Sequence, residues 1–177
     1  MIRKLEVGDV GAILDIYSYY IKNTSYSFEI DVPSFEDFQS RIFGIAENFP
    51  FLVYTRGGEI VGYAYASDHN KRQAYRFGVD VSIYISHNHL GGGIGTKLYE
   101  KLFEVLTDCG IYNAFSCITI PNEISVSIHE KFGFHEVGRF ANAGYKFGKW
   151  HDILWMQKQL KSPDENPSEV IKMYENI

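Results

Sequence analysis

A mixed α/β fold is predicted by three observations. Apolar residues fall at every second position at Val79, Val81, Ile83 and Ile85, the period of a half-buried strand. Directly afterwards Ile94, Leu98, Leu102 and Val105 recur at three- and four-residue steps, with Lys97, Glu100, Lys101 and Glu104 on the opposite face of an amphipathic helix. Strand-like and helix-like segments then continue in mixed order without an internal repeat.

Taken from the start, residues 2–5 read as a short strand, and Asp9 is placed to cap a helix carrying Ile13, Ile16, Tyr17 and Tyr20. A polar and aromatic loop follows over residues 23–32. Pro33 and Ser34 introduce a second helix with Phe35, Phe38, Ile42 and Ile45 on one stripe. Residues 51–55 and 59–67 read as a hairpin joined through Arg56, Gly57 and Gly58. Beyond the central strand and helix come a strand at residues 113–119 and a helix at 123–132. Two last strands, 135–142 and 153–160, flank a loop from Gly144 to Asp152. After Leu160 the run Ser162, Pro163, Asp164, Glu165, Asn166, Pro167 is polar, which predicts one domain over residues 1–160 and a loosely attached tail over 161–177 with a short helix from Ser168.

The bulk properties describe a globular chain. Its 177 residues are 45% hydrophobic and 22% charged, enough for one sizeable core. The net charge of −5 argues against a nucleic-acid binder, whose phosphate contacts require clustered Lys and Arg. The opening residues are followed by no long apolar run, so neither a secretory leader nor a membrane span is expected and the location expected is cytoplasmic. Cys109 and Cys117 are too few for a disulfide framework and lack metal-site spacing, which predicts reduced thiols and no bound metal.

Between the central strand and its helix stand Gly91, Gly92, Gly93 and Gly95. Residues without a Cβ allow a tight turn, so that unpaired amides at a helix start converge on an anion that the helix dipole also favours. A phosphate loop of the G-x-x-x-x-G-K-[ST] type is excluded, because Thr96 stands where its second glycine belongs. A dinucleotide fingerprint fails on spacing as well.

The order of strand, glycine turn and long helix resembles the acyl-CoA motif Q/R-x-x-G-x-G/A of the GCN5-related N-acetyltransferases. Its six positions fall on Leu90, Gly91, Gly92, Gly93, Ile94 and Gly95, with Leu90 in place of the polar residue, which leaves more of the work to backbone amides. Downstream, Asn122, Ser125, His129, Gly133 and Phe134 resemble a second segment of that family. The runs at Tyr63–Ser67, Tyr84–His89, Ser125–Phe134 and Ala143–Gln157 are similar to its phosphinothricin and methionine sulfoximine acetyltransferase branch, and the likeness covers about residues 2–160.

The resemblance implies a central, mostly antiparallel sheet splayed at the cofactor site and flanked by helices, with acetyl-CoA as acetyl donor. The diphosphate would lie on Gly91, Gly92, Gly93, Ile94, Gly95 and Thr96, and the pantetheine arm on Ile83, Tyr84, Ile85 and Asn122. Asp80 takes the position of the branch's glutamate base, and His129 the position where a tyrosine acid is frequent. Both also fit plain structural roles, a strand-edge carboxylate and a core histidine. A homodimer is implied by resemblance alone.

Arg72 and Arg76, four residues apart, fit one face of a helical turn that could grip a carboxylate or phosphinate; solvated loop charges would read the same way. Phe28, Glu29, Tyr75 and Trp150 are candidate walls of an amine pocket, although 13 Tyr and 13 Phe also suit a core or dimer interface. His151 is either a substrate residue or an anchor bonded to Asp152. The expected reaction is direct attack of a primary amine on acetyl-CoA in a ternary complex, the amine belonging to an amino-acid analogue such as phosphinothricin or methionine sulfoximine or sulfone. Other amines, namely polyamines, aminoglycosides or a protein N-terminus, and a non-catalytic acyl-CoA-binding module remain alternatives.

Overall fold

In the computed structural model residues 1–171 are described. Strand β1 (Ile2–Lys4) leads to helix α1 (Val10–Asn23) and helix α2 (Phe35–Ala46). Ser34 starts α2 as expected, accepting the Asp37 amide proton at 3.1 Å. Asp9 does not cap α1 with its side chain. Its buried carboxylate instead faces Arg3 at 2.6 Å and accepts from the Glu6 amide at 2.8 Å, because a nearby guanidinium compensates burial better than an amide alone.

Strands β2 (Phe51–Arg56) and β3 (Glu59–Asp68) form the expected hairpin, and β4 (Gly78–Ile85) follows after a short 3₁₀ turn at Gln73–Tyr75. Helix α3 (Ile94–Asp108), strand β5 (Asn113–Ile120), helix α4 (Glu123–Lys131) and the long pair β6 (His135–Lys146) and β7 (Lys149–Gln159) complete the described elements. They form a seven-stranded sheet in the order β1-β2-β3-β4-β5-β7-β6. Every pairing in it is antiparallel except β4 with β5.

Alternation along the strands sends side chains to two cores. On one face Leu98, Leu102 and Leu106 of α3 pack on Ala64, Val79 and Val81. On the other, Ile13 of α1 and Phe38 and Ile42 of α2 cover Phe51, Val53 and Tyr63. Each fully buried leucine contributes roughly 1.5–3 kcal/mol by leaving water.

Three expectations are corrected. The run from Gly144 to Asp152 is no loop: it is the tip of the β6–β7 hairpin, turning at Phe147 and Gly148, both at positive φ. Arg72 and Arg76 do not share a helical face, since they flank the 3₁₀ turn from opposite ends. The tail is docked as far as it is described: Tyr112 bonds Asp164, Lys161 lies 4.2 Å over the Tyr112 ring, and the Ile171 amide donates to Cys109 at 3.0 Å. Residues 168–171 are not helical, and the rest of the helix expected there lies outside the described residues.

Candidate active site

The parallel pairing of β4 with β5 lasts three residues, ending at Asp80 opposite Phe115. Beyond that point the strands part while β3 still follows β4 through Ile85 and β7 follows β5 through Ile120. The result is a wedge with a free strand edge, whose backbone amides and carbonyls are available to an extended ligand. It forms a cleft of about 350 Å³ whose apex is lined by Val81, Ser82, Ser116 and Cys117 and whose mouth is lined by Leu90, Gly95 and Asn122.

At the mouth, Gly91 and Gly93 adopt φ of +80° and +71°, a turn that side chains resist, and α3 begins directly behind them. The Lys97 amide donates to Gly93, so the three amides before it, those of Ile94, Gly95 and Thr96, point out of the helix start. A Cβ on Gly95 would meet Ile128 at 2.9 Å and Ile83 at 3.5 Å, so only glycine lets α3, α4 and the wedge approach this closely. This cradle and free edge fit a diphosphate followed by an amide-bearing arm.

Sequence reasoning missed two cations here. The Arg56 guanidinium lies 3.8 Å from where a side chain on Gly92 would begin, and Lys131 donates to the Thr96 hydroxyl at 3.3 Å. Both flank the amide cluster. From sequence Arg56 is only part of a hairpin turn; its place beside the glycines follows from β3 pairing with β4 as far as Ile85, which brings the β2–β3 end next to the start of α3.

Along the wedge, Ile83 and Ile85 pack on the α3 core, whereas the Tyr84 ring turns to the other face against Tyr17, Tyr20 and Tyr63. Only the Tyr84 backbone is thus offered to the wedge. Asn122 caps α4, its Oδ1 accepting the Ser125 amide at 3.2 Å. Asn122 also lines the mouth of the cleft.

His129 is 2% exposed, its Nδ1 2.7 Å from the Ser125 carbonyl and its Nε2 2.9 Å from the Tyr99 hydroxyl. A carbonyl only accepts, so Nδ1 carries the proton and Nε2 accepts from Tyr99. Burial lowers the His129 pKa and keeps this neutral form. The expected proton donor is therefore a buried acceptor whose proton is committed to a helix carbonyl, and the pair ties α4 to α3.

Asp80, Ser82 and Tyr84 project to the face of Tyr63 and Tyr65, with Tyr65 bonded to Ser82. Above this face Glu29 pairs with Arg41, and both act electrostatically on Tyr65. Burial pushes the Tyr17 hydroxyl beside Ser27 up to about 12. Asp80 is half-buried, and burial raises its carboxyl pKa against the opposing hydrogen bond from His69. His69 was not singled out from sequence. Its signal is faint: a histidine just past the end of one strand whose partner strand carries an acid 11 positions further on.

The remaining expected substrate residues scatter. The Phe28 ring occupies the space a side chain on Gly144 would take. Lys146, buried, donates to the Ser27 carbonyl at 2.7 Å, so the β6–β7 tip clamps the loop carrying Phe28 and Glu29. His151 is buried and bonded to the Lys146 carbonyl at 3.0 Å, which makes it an anchor of that tip through a different partner from Asp152. Trp150 is 60% exposed and packs edgewise on Tyr145, outside the pocket. Arg76 lies 4.3 Å over the Phe77 ring and 3.7 Å from Glu169, while Arg72 and Tyr75 are exposed.

A sheet opened between a parallel strand pair, with an amide cradle at its mouth, defines an acyl-CoA-dependent transferase. The model of the acetyltransferase (GNAT) domain matches residues 2–155, and the chain belongs to that family of acetyl-CoA-dependent N-acetyltransferases. It is 31% identical over 162 residues to phosphinothricin N-acetyltransferase of Streptomyces viridochromogenes, covering 92% of this chain and 88% of that one. It is 29% identical to the L-methionine sulfoximine/L-methionine sulfone acetyltransferase of Salmonella typhimurium, over 90% of this chain and 94% of the relative. Among solved structures, a phosphinothricin acetyltransferase from Sinorhizobium meliloti in complex with acetyl-CoA superposes with a TM-score of 0.88 at 32% identity, over 94% of each chain.

Proposed function

We propose that the chain transfers the acetyl group of acetyl-CoA to the primary amine of a small amino-acid-like substrate, of the phosphinothricin or methionine sulfoximine or sulfone type, by direct attack with both substrates bound. The observation that carries this reading is the wedge itself. Its mouth offers the amides of Ile94, Gly95 and Thr96 with Arg56 and Lys131 for a diphosphate, its free β4 edge offers hydrogen bonds to the pantetheine amides, and its apex adjoins Asp80.

Direct attack is supported by the state of Cys117. Desolvation and the nearby Asp80 charge push this thiol, exposed at the apex, up to about 11, whereas an acyl-carrying cysteine needs a lowered pKa to be a thiolate. The amine enters from the face of Ser82 and Tyr65, under the loop of Phe28 and Glu29 that Lys146 holds in place. Tyr75 and Arg72 border the same side through the turn before β4.

Location in the cytoplasm and a homodimer complete the proposal. Phe140, Tyr145, Phe147 and Trp150, exposed on the edge hairpin, supply an apolar face suited to a second copy, and sedimentation velocity reads the mass directly.

The test is release of free CoA thiol from acetyl-CoA with a panel of phosphinothricin, methionine sulfoximine, methionine sulfone, ordinary amino acids and polyamines. Turnover concentrated on the tetrahedral phosphorus and sulfur analogues is expected. Turnover confined to polyamines overturns the substrate class, and acetyl-CoA binding without any turnover overturns the enzyme reading in favour of a binding module.

A further inference from the structure

We propose that His69 is the proton acceptor of the reaction and that Asp80 is the positioning residue that orients it; this rests on the acetyltransferase reading above. Ser67 and Asp80 are register partners across β3 and β4, and Asp80 is in turn partnered by Phe115 on β5. His69, the first residue beyond β3, therefore folds back over the point where the wedge opens.

Its ring is clamped there. Phe115 stacks on it at 4.1 Å and 23°, Trp155 of β7 stands edge-on at 5.9 Å and 85°, and Tyr75 lies at 6.1 Å. Nδ1 is 2.7 Å from Asp80 Oδ1. An ionised carboxylate only accepts, so in the neutral ring Nδ1 carries the hydrogen and Nε2 holds the lone pair. Among the described residues Nε2 has no hydrogen-bond partner, and no buried side-chain nitrogen is left unpartnered. Nε2 is consequently open to solvent.

The other histidines near the cleft lack this combination. His129 spends both nitrogens on Ser125 and Tyr99, and His151 is buried against the Lys146 carbonyl. His87 stacks on Tyr19 at 3.8 Å without a carboxylate partner among the described residues. Asp80 Oδ1 is engaged by His69, so of the dyad's acceptors Nε2 is the one carried furthest from the strand, with Asp80 holding the ring from behind. The titratable groups around the dyad are Tyr65, Tyr75 and Cys117, and no Lys or Arg pairs with Asp80 among the described residues. Protonation of His69 thus supplies the cation that a half-buried carboxylate otherwise lacks.

The step balances without a further reagent. Nε2 takes one proton from the substrate ammonium, and the freed nitrogen lone pair forms the N–C bond to the thioester carbonyl carbon. The C–S bond breaks with its electron pair on sulfur, the nitrogen loses a second proton as the amide forms, and one proton ends on the CoA sulfur. One proton is released to water when His69 is regenerated.

The experiment compares wild type, His69→Ala, His69→Asn and Asp80→Asn with methionine sulfone and phosphinothricin as amines, alongside calorimetric acetyl-CoA binding. His69→Asn keeps a donor toward Asp80 but removes the acceptor, which guards against a folding defect. Expected are acetyl-CoA affinities within about threefold of wild type and a kcat loss of about 10²–10⁴ in both His69 variants, with amine KM little changed. Added imidazole restores part of kcat in His69→Ala, and Asp80→Asn loses less than either. A His69→Ala kcat within about threefold of wild type, or a loss that imidazole leaves untouched, overturns the proposal. Absence of wild-type turnover with every amine instead removes the acetyl-transfer reading, and this one with it.

Discussion

Tyr99→Phe removes one oxygen and nothing else from the seam between α3 and α4. The ring keeps its contacts with Phe103 at 4.9 Å and Phe132 at 5.7 Å, so packing is conserved. What is lost is the 2.9 Å hydrogen bond to His129 Nε2, between groups that are 0% and 2% exposed. A buried acceptor left without its donor costs about 1–3 kcal/mol. At about 2 kcal/mol, a chain of this length melts roughly 4–8 °C lower. Guanidinium unfolding monitored by tryptophan fluorescence reads this as a lower midpoint at unchanged m-value. In a double-mutant cycle with His129→Leu, the second change costs less in the Tyr99→Phe background, because the orphaned nitrogen disappears with it. A Tyr99→Phe protein within about 0.5 kcal/mol of wild type, or strict additivity in the cycle, refutes the claim that this bond ties the two helices.

The same histidine gives an acid limb: its folded pKa is lowered by burial, so stability is complete above the ordinary 6.5 and is lost as pH falls through the folded value, a loss that His129→Gln reduces in melts between pH 8 and 5. Asp80 behaves oppositely. Its folded pKa is raised, chiefly by burial, so its contribution is complete below the ordinary 3.8 and lost as pH rises; Asp80→Asn is expected to melt higher than wild type at pH 7 while turning over more slowly. Arg56→Ala raises the KM for acetyl-CoA by about 3–10-fold, more at low salt, with kcat nearly unchanged, as a lost exposed charge contact should. Gly144→Val displaces Phe28, costs about 1–3 kcal/mol of stability and raises the amine KM above that for acetyl-CoA.

Features set by local chemistry were legible in the sequence. The alternation at residues 79–85, the glycines at 91–95 and the Ser34 cap each depend on neighbours a few positions away, and all lie where the pattern puts them. The β6–β7 tip does not read as strand because the residues it buries are Lys146 and His151 rather than apolar ones, so no hydrophobic alternation marks it, and its glycines and lysines resemble a loop. Asp9 carries a cap residue's identity but is claimed by Arg3, a choice made by tertiary proximity. The site itself was half visible. Asp80 stood out against its apolar strand, whereas His69, Arg56, Arg41 and Lys131 meet Asp80, Gly92, Glu29 and Thr96 only through strand register and helix crossing, which a lone sequence does not encode in its spacing.

Because the strands part after a single three-residue pairing, the sheet is in effect two smaller sheets, β1 through β4 and β5 with β7 and β6, hinged at Asp80 and Phe115. In the proposed binding mode, a pantetheine arm would fill the place of a missing strand between them. Ligand occupancy therefore acts on the mechanical continuity of the whole layer: at 100 times its Kd, acetyl-CoA adds about 2.7 kcal/mol to the folded state. That increment should appear as slowed amide exchange along Val81–Ile85 and Ser116–Ile120, on both banks of the gap at once.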